Sequence, residues 1–422
     1  MPTNTSAWRS TFTHALFPAR NSIVRRRVHS HTPVTAMKIT ARILSAAFAF
    51  HSLALFAAPQ FKWERVDVGE IEIGYGVQIA DVNGDGKVDI LLADKKTIQW
   101  YQNPSWEKHV IAKDLTERDN VCITARDLTG DGKCEIAVGA QWNPGNTTDA
   151  DASGAVFYLV PGSNRTKKWT PTKLRNEPTV HRMHWIKSSD GVHSLVVKPL
   201  HGRGNKGGVG RGGLILEYHM PKNNRSDWTT EVVSDFMHLT HNFHPVNWDD
   251  DREEELLIAG KEGIWFFNER GGKWEKRQLT DKAAGEIRDG RLPDGKRFIV
   301  TIEPHHGIAA TVYVETKEGL WQNTSVLDNE LVAGHALQVG DLLGLGNDQI
   351  VVGWRGQRKA EPGIKIFTPA NKDGSKWHGQ KISGKEIAIE DLKVADLNGD
   401  GKLDIIAAGR ATKNLVVFMN AR

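Results

Sequence analysis

The strongest constraint on this chain is that it repeats one phrase. DVNGDGKVDILLA begins at Asp81, DLTGDGKCEIAVG at Asp127 and DLNGDGKLDIIAAG at Asp396. Weaker copies stand at IKSSDGVHSLVV around Lys187, NWDDDREEELLIAG from Asn247, DGRLPDGKRFIVTIE from Asp289 and GDLLGLGNDQIVVG around Asp341, which makes seven. In each copy one short apolar run precedes the polar loop and another follows it. A third comes next, such as TIQWYQN or GIKIFTP, and then a fourth opened by Trp, as in WEKHVI, WEKRQL and WHGQKI. Runs this short, separated by Gly-rich turns, are strands, and four in succession form an antiparallel meander.

Residues 59–422 divided among seven copies give about 52 residues each, the size of a propeller blade. The predicted fold is therefore all-β, a seven-bladed β-propeller of four-stranded antiparallel blades. The seventh copy ends after its third run, NLVVFMN, while FKWERVDV from Phe61 has the Trp-led form of the outer strands but precedes the first copy. The N-terminal strand should complete the last blade and close the ring, leaving no long exposed sheet edge. One domain spans 59–422. The 41 Gly and 14 Trp suit this reading, and 39% hydrophobic with 25% charged residues is a globular composition.

Residues 1–58 read as a signal or targeting segment. A basic stretch from Met37-Lys38 to Arg42 leads into the apolar run Ile43–Ala58, then Pro59. The run is too short and too often interrupted for a stable membrane span, so export to a secreted or periplasmic location with cleavage near Ala57 or Ala58 is expected. Met37 reads as the initiator, with an extension of the basic region as the alternative. These residues hold seven Lys or Arg and no acid, and the remainder carries 48 basic against 51 acidic residues. A slightly acidic body argues against nucleic acid as a partner. Oligomeric state is not legible.

The pattern D-x-[NT]-G-D-G-x-x-[DE] between two apolar strands resembles the FG-GAP/VCBS repeat family. That resemblance implies structural Ca2+ held by oxygens at loop positions 1, 3, 5 and 9, with Gly at 6 making the turn. It falls on Asp81, Asn83, Asp85 and Asp89, on Asp396, Asn398, Asp400 and Asp404, and on Asp127, Asp131 and Glu135, where Thr129 is a weaker ligand. Asn247, Asp249, Asp251 and Glu255 depart from it because Arg252 replaces the Gly, and Leu343 and Leu345 remove the ligands from the Asp341 loop. The competing reading is a set of Asx turns without an ion. Placing Asp127 opposite Glu135 makes paired residue numbers sum to about 262, which sets Cys122 roughly 20 Å along its strand from Cys134. Two free, buried thiols are expected.

Counting back from each loop exposes a column. Six residues before it stand Tyr75, His181, His241, His335 and Glu390; three before it stand Gln78, His184, His244, Gln338 and Lys393. These are the starts of the innermost strands, on the face opposite the loops. The connections returning to that face carry Lys198, His201, Arg203, Arg211, His305, His306, Trp354, Arg355 and Arg410. Imidazoles from several blades can converge on Zn2+ or another divalent metal, or accept protons, so His181, His241, His335, His305 and His306 are the candidate catalytic group. Lys198, His201, Arg203, Arg211, Trp354, Arg355, Glu390 and Arg410 are candidate substrate contacts.

A His-lined channel in this fold is similar to the propeller of aldos-2-ulose dehydratases, and more distantly to propeller polysaccharide lyases. That resemblance implies a secreted carbohydrate-active lyase or dehydratase acting on a carbohydrate or keto-sugar, with proton abstraction α to a carbonyl and a metal in the channel. Such a dehydratase carries further β domains beside its propeller, and none is expected within residues 59–422. The other class is a non-catalytic glycan- or protein-binding propeller stabilised by calcium, similar to an integrin α head. Neither a nucleophile elbow nor a dinucleotide fingerprint is present.

Overall fold

In a computed structural model, residues 60–421 are described apart from 189, 222–226 and 358. The expectations for residues 1–58 lie outside the described residues. All regular elements are strands, arranged as seven four-stranded antiparallel sheets. The first blade shows the plan: Gly76–Ala80, Asp89–Ala93, Thr97–Gln102 and Glu107–Lys113, each pairing with the next. The first strands of the later blades are Cys122–Arg126, Val180–Lys187, Thr240–Val246, Glu286–Arg291, Gly334–Gly340 and Ile389–Ala395. They pack against one another in sequence and then against Gly76–Ala80, which closes the ring around a central channel.

The seventh blade is composite as expected. Ile389–Ala395, Asp404–Gly409 and Asn414–Asn420 come from the C-terminal end, and the outermost strand is Trp63–Glu70. Trp63 pairs with Asn420 and Glu70 with Asn414. Second strands are buried on both faces, as in DILLA and DIIAAG, because each sheet is covered by a neighbouring blade on both sides. Leu91, Trp100, Ile136 and Phe157 form one such inter-blade core. No helix among the described residues is long and apolar enough to cross a membrane.

Both cysteines are free and buried. Cys122 pairs with Gly139 and Arg126 with Glu135, a sum of 261 and one short of the predicted register. A side chain at Gly139 would collide with the Cys122 Sγ, so the bare glycine makes room for the thiol.

Candidate functional site

The loops that follow the first strands take their shape from two glycines. Gly84 and Gly86, Gly130 and Gly132, and Gly399 and Gly401 all have positive φ, which lets the chain curl around the first carboxylate. Asp81 accepts the amides of Gly84 and Gly86 at 2.7 and 2.8 Å, and Asp127 and Asp396 repeat the pattern. The ninth-position acid is a staple. Asp89 takes the Val82 amide at 2.9 Å on one oxygen and the Asn103 amide at 2.9 Å on the other, while Asp404 does the same with Leu397 and Asn420. Glu135 takes the Leu128 amide at 3.0 Å. Asn83, Asp85, Asp131, Asn398 and Asp400 are solvent-facing and cap neighbouring amides.

The loop that departs from the motif gathers its acids most tightly. Asp249, Asp251 and Glu255 bring carboxylate oxygens within 4.8 Å of one another. Here Asp250, with φ 63°, replaces the first glycine. Glu255 is 1% exposed; its Oε2 accepts the Trp248 amide at 2.7 Å, but its Oε1 has no hydrogen-bond partner. Burial, with the nearby Asp249 and Asp251 charges, pushes its carboxyl up to about 7.

At the opposite mouth the column of the first strands converges. His241, His306 and His335, from the fourth, fifth and sixth blades, bring ring nitrogens within 4.8 Å of one another. His306 Nε2 lies 2.7 Å from His241 Nε2, and His181 packs tilted and His305 edge-on against His241 at centroid distances of 4.7 and 4.9 Å. Three of these imidazoles have their outer nitrogen tied down. His181 Nδ1 donates to the His241 carbonyl at 2.9 Å, His241 Nδ1 to Glu286 Oε1 at 2.8 Å, and His335 Nδ1 to the Glu390 carbonyl. Fixing Nδ1–H leaves each Nε2 with its lone pair, turned into the channel.

The environment keeps these rings neutral. Burial, reinforced by Arg182, Arg355 and Lys198, holds His181, His241 and His335 well below the ordinary imidazole range. His306 is lowered as well, and burial together with the Lys198 charge pushes His305 down to about 4. Trp142 covers the His181 ring at 5.0 Å.

The predicted contacts divide into two sets. Arg355 and Arg410 join the cluster: Glu390, 2% exposed, accepts from Arg355 Nε at 2.7 Å and from Arg410 Nη1 at 2.8 Å. Arg355 Nη2 also lies 2.7 Å from His335 Nε2, and Arg410 lies over the Tyr75 ring. Lys198 is fully buried, and its Nζ has no hydrogen-bond partner. His201 is half-buried, with its Nδ1 unpartnered. Arg203 instead pairs with Glu177 at 2.9 Å and the Thr148 carbonyl at 2.8 Å, and Arg211 is exposed on the rim. Trp354 is buried with its indole N–H on the Glu361 carbonyl. The Gly-rich Gly202–Gly213 segment is pinned by fully buried Asn205, which bonds the Arg211 and His238 carbonyls and the Gly208 amide.

Sequence reasoning missed Glu286, Arg182, Asn242 and Arg288. Glu286 begins the inner strand of the fifth blade, the same position as His241 in the fourth. The fifth copy, DGRLPDGK, aligns with the motif too loosely to fix the residue from which to count back.

A metal ion would be held by His241, His306 and His335, three neutral imidazoles of which His241 and His335 have an anchored Nδ1, once Arg355 Nη2 leaves His335 Nε2. Two imidazoles on one tetrahedral zinc stand roughly 3.3 Å apart, so the His241 and His306 nitrogens would separate by about 0.6 Å. Asp249, Asp251 and Glu255 offer hard oxygens suited to calcium.

Comparison with solved structures gives the same architecture at low identity. A chain from the crystal structure of BBS1N in complex with ARL6DN is 14% identical, with a TM-score of 0.52 over 85% of this chain and 97% of that one. The Cps50 (Swd1) β-propeller domain of Myceliophteria thermophila is 10% identical, with a TM-score of 0.51 over 85% and 100%. An Agrocybe aegerita lectin specific for non-reducing terminal N-acetylglucosamine is 14% identical, with a TM-score of 0.46 over 76% and 80%. The search of curated proteins found no match. Residues 81–138, the first two loops and the strands between them, match the family model of the FG-GAP-like repeat.

Proposed function

We propose that this propeller is a carbohydrate-active lyase or dehydratase whose chemistry takes place at the histidine-lined mouth. One observation carries the reading: imidazoles from three blades bring their nitrogens together, with buried acceptors holding Nδ1–H of His241 and His335 so that Nε2 faces His306 and Arg355 in the channel. A polar channel lining has no need for that shared orientation of His241 and His335. The substrate class is a keto-sugar or a uronate, in which a carbonyl acidifies the neighbouring C–H.

His305 is the proposed proton acceptor. It is half-buried, neutral near pH 7 and makes no side-chain hydrogen bond among the described residues. It takes the α proton and returns it to the departing oxygen as the C–O bond breaks. Arg355 and Arg410, held by Glu390, face the developing enolate oxygen with charged donors. A divalent ion on His241, His306 and His335 would supply Lewis-acid polarisation of the carbonyl.

The test is elemental analysis of the purified chain beside a screen of keto-sugars and uronates for elimination, repeated with His241→Ala. Metal near one equivalent and an elimination product, both lost in the variant, support the reading. A folded chain with neither makes it a binding propeller. The near-complete burial of His181, His241 and His335 is the observation on that side.

A further inference from the structure

Below the imidazoles the channel narrows to a cavity of about 20 Å³, room for one water-sized guest. Six of the seven blades line it, and its walls include Arg182, His184, Asn242, Arg288, Asp391 and Lys393, with the polar but uncharged Tyr75 and Gln78. Three of these are cations and one is an acid. Asp391 is occupied: its oxygens accept the Val77 amide at 2.8 Å and the Leu392 amide at 2.9 Å, with Lys393 Nζ 3.5 Å away.

Arg182 and Arg288 have no ion pair among the described residues. Arg182 Nη1 bonds only the neighbouring His181, through its carbonyl at 2.9 Å and Nε2 at 3.4 Å. Arg288 Nη1 bonds the adjacent Ile287 carbonyl at 2.5 Å, and the residue is 6% exposed. The acid above them, Glu286, already accepts from His241 and from Asn242 Nδ2 at 2.6 Å. Lys198, opposite Arg182 in the strand register, is fully buried without a hydrogen-bond partner, and burial together with the Arg182 charge lowers its pKa. Excess positive charge around a water-sized space is costly where it is buried, as at Arg288, and a neutral water does not balance it.

We propose that this cavity is a binding site for one small monatomic anion, of which chloride is the physiological example, held by Arg182 and Arg288 with Asn242 and Lys393 beside it. The space excludes phosphate, sulfate or a sugar acid, since each needs several times the volume of a water. The guest would brace the polar layer on which the imidazoles rest, because Arg182 touches His181 and Asn242 reaches Glu286. The site does not depend on the catalytic reading above.

The test uses the whole purified chain. Crystals grown in sodium bromide, measured at the bromine absorption edge, should show one anomalous peak on the channel axis against Arg182 and Arg288. Melting temperature should rise by roughly 2–5 °C from sodium gluconate to sodium chloride at equal ionic strength. Arg182→Met and Arg288→Met should remove the chloride response, and either one folded suffices. Water without an anomalous peak, or equal melting temperatures in gluconate and chloride, overturns the proposal.

Discussion

His241 is bound at both ends: its Nδ1 lies 2.8 Å from Glu286 Oε1, and its Nε2 lies 2.7 Å from His306 Nε2. Glu286 therefore sets which nitrogen of His241 faces the channel. Glu286→Gln keeps an oxygen to accept the Nδ1–H but loses the charge that makes the imidazole a better donor. A loss of metal affinity of about 10-fold or more is expected, with the fold retained. Competitive metal titration checks this, and His241→Ala should lose metal binding altogether.

The same imidazoles make stability depend on pH. Their pKa values in the folded chain lie below the ordinary value of 6.5, for His305 at about 4. Between those limits the unfolded chain binds more protons than the folded one. Stability is then complete above pH 6.5 and falls as the pH drops towards 4. Urea unfolding at pH 7, 6 and 5 should show this, with a slope corresponding to more than one proton. Glu255, raised to about 7, slopes the other way, so the histidine share is read as the slope lost in His305→Ala; an unchanged slope would mean that the ring is not shielded as the structure has it.

The Asp249 loop should respond to calcium in a way the regular loops do not. Glu255 keeps an unpartnered buried oxygen beside two acids, and its carboxyl titrates near 7. Calcium would relieve that burial. Wild type should melt higher in calcium than in chelator. Glu255→Gln should melt higher than wild type in chelator and lose most of the calcium increment. By contrast, Asp81→Ala removes acceptors for two backbone amides and should cost about 1–3 kcal/mol with or without calcium.

The fold was legible because each structural level repeats the same instruction. The loop glycines, the two-sided apolar second strands and the Trp-led outer strands recur with one period, and only a ring uses FKWERVDV at the far end from NLVVFMN. The histidines were legible for the same reason: His181, His241 and His335 share one register relative to the first residue of the following loop. Their partners were not. Glu286 precedes a loop too loosely matched to count back from, while Arg182 and Asn242 matter through contacts across blades. Side-chain direction was also beyond counting. Arg203 stands on a connection at the mouth, yet turns outward to Glu177.

Ring closure gives the last expectation. Asn420 sits at the end of the final strand, where its Nδ2 donates to the Leu342 carbonyl of the sixth blade at 2.8 Å. Asn103 makes the equivalent bond from the first blade to Leu397 of the seventh at 2.6 Å. These side chains fasten neighbouring blades, but only Trp63–Glu70 joins the two ends of the chain within one sheet. Deleting residues 60–70 leaves Asn414–Asn420 as an open edge with its amides unpaired and uncovers Val417 and Phe418. The truncated chain should aggregate or melt at least about 10 °C lower, since it loses a whole strand of hydrogen bonds and its apolar cover. Asn420→Ala keeps the strand and loses one buried bond, so it should cost only about 1–3 kcal/mol. Differential scanning calorimetry of both variants separates the cases. Equal small losses would show that the blades hold together without the strand that closes the ring.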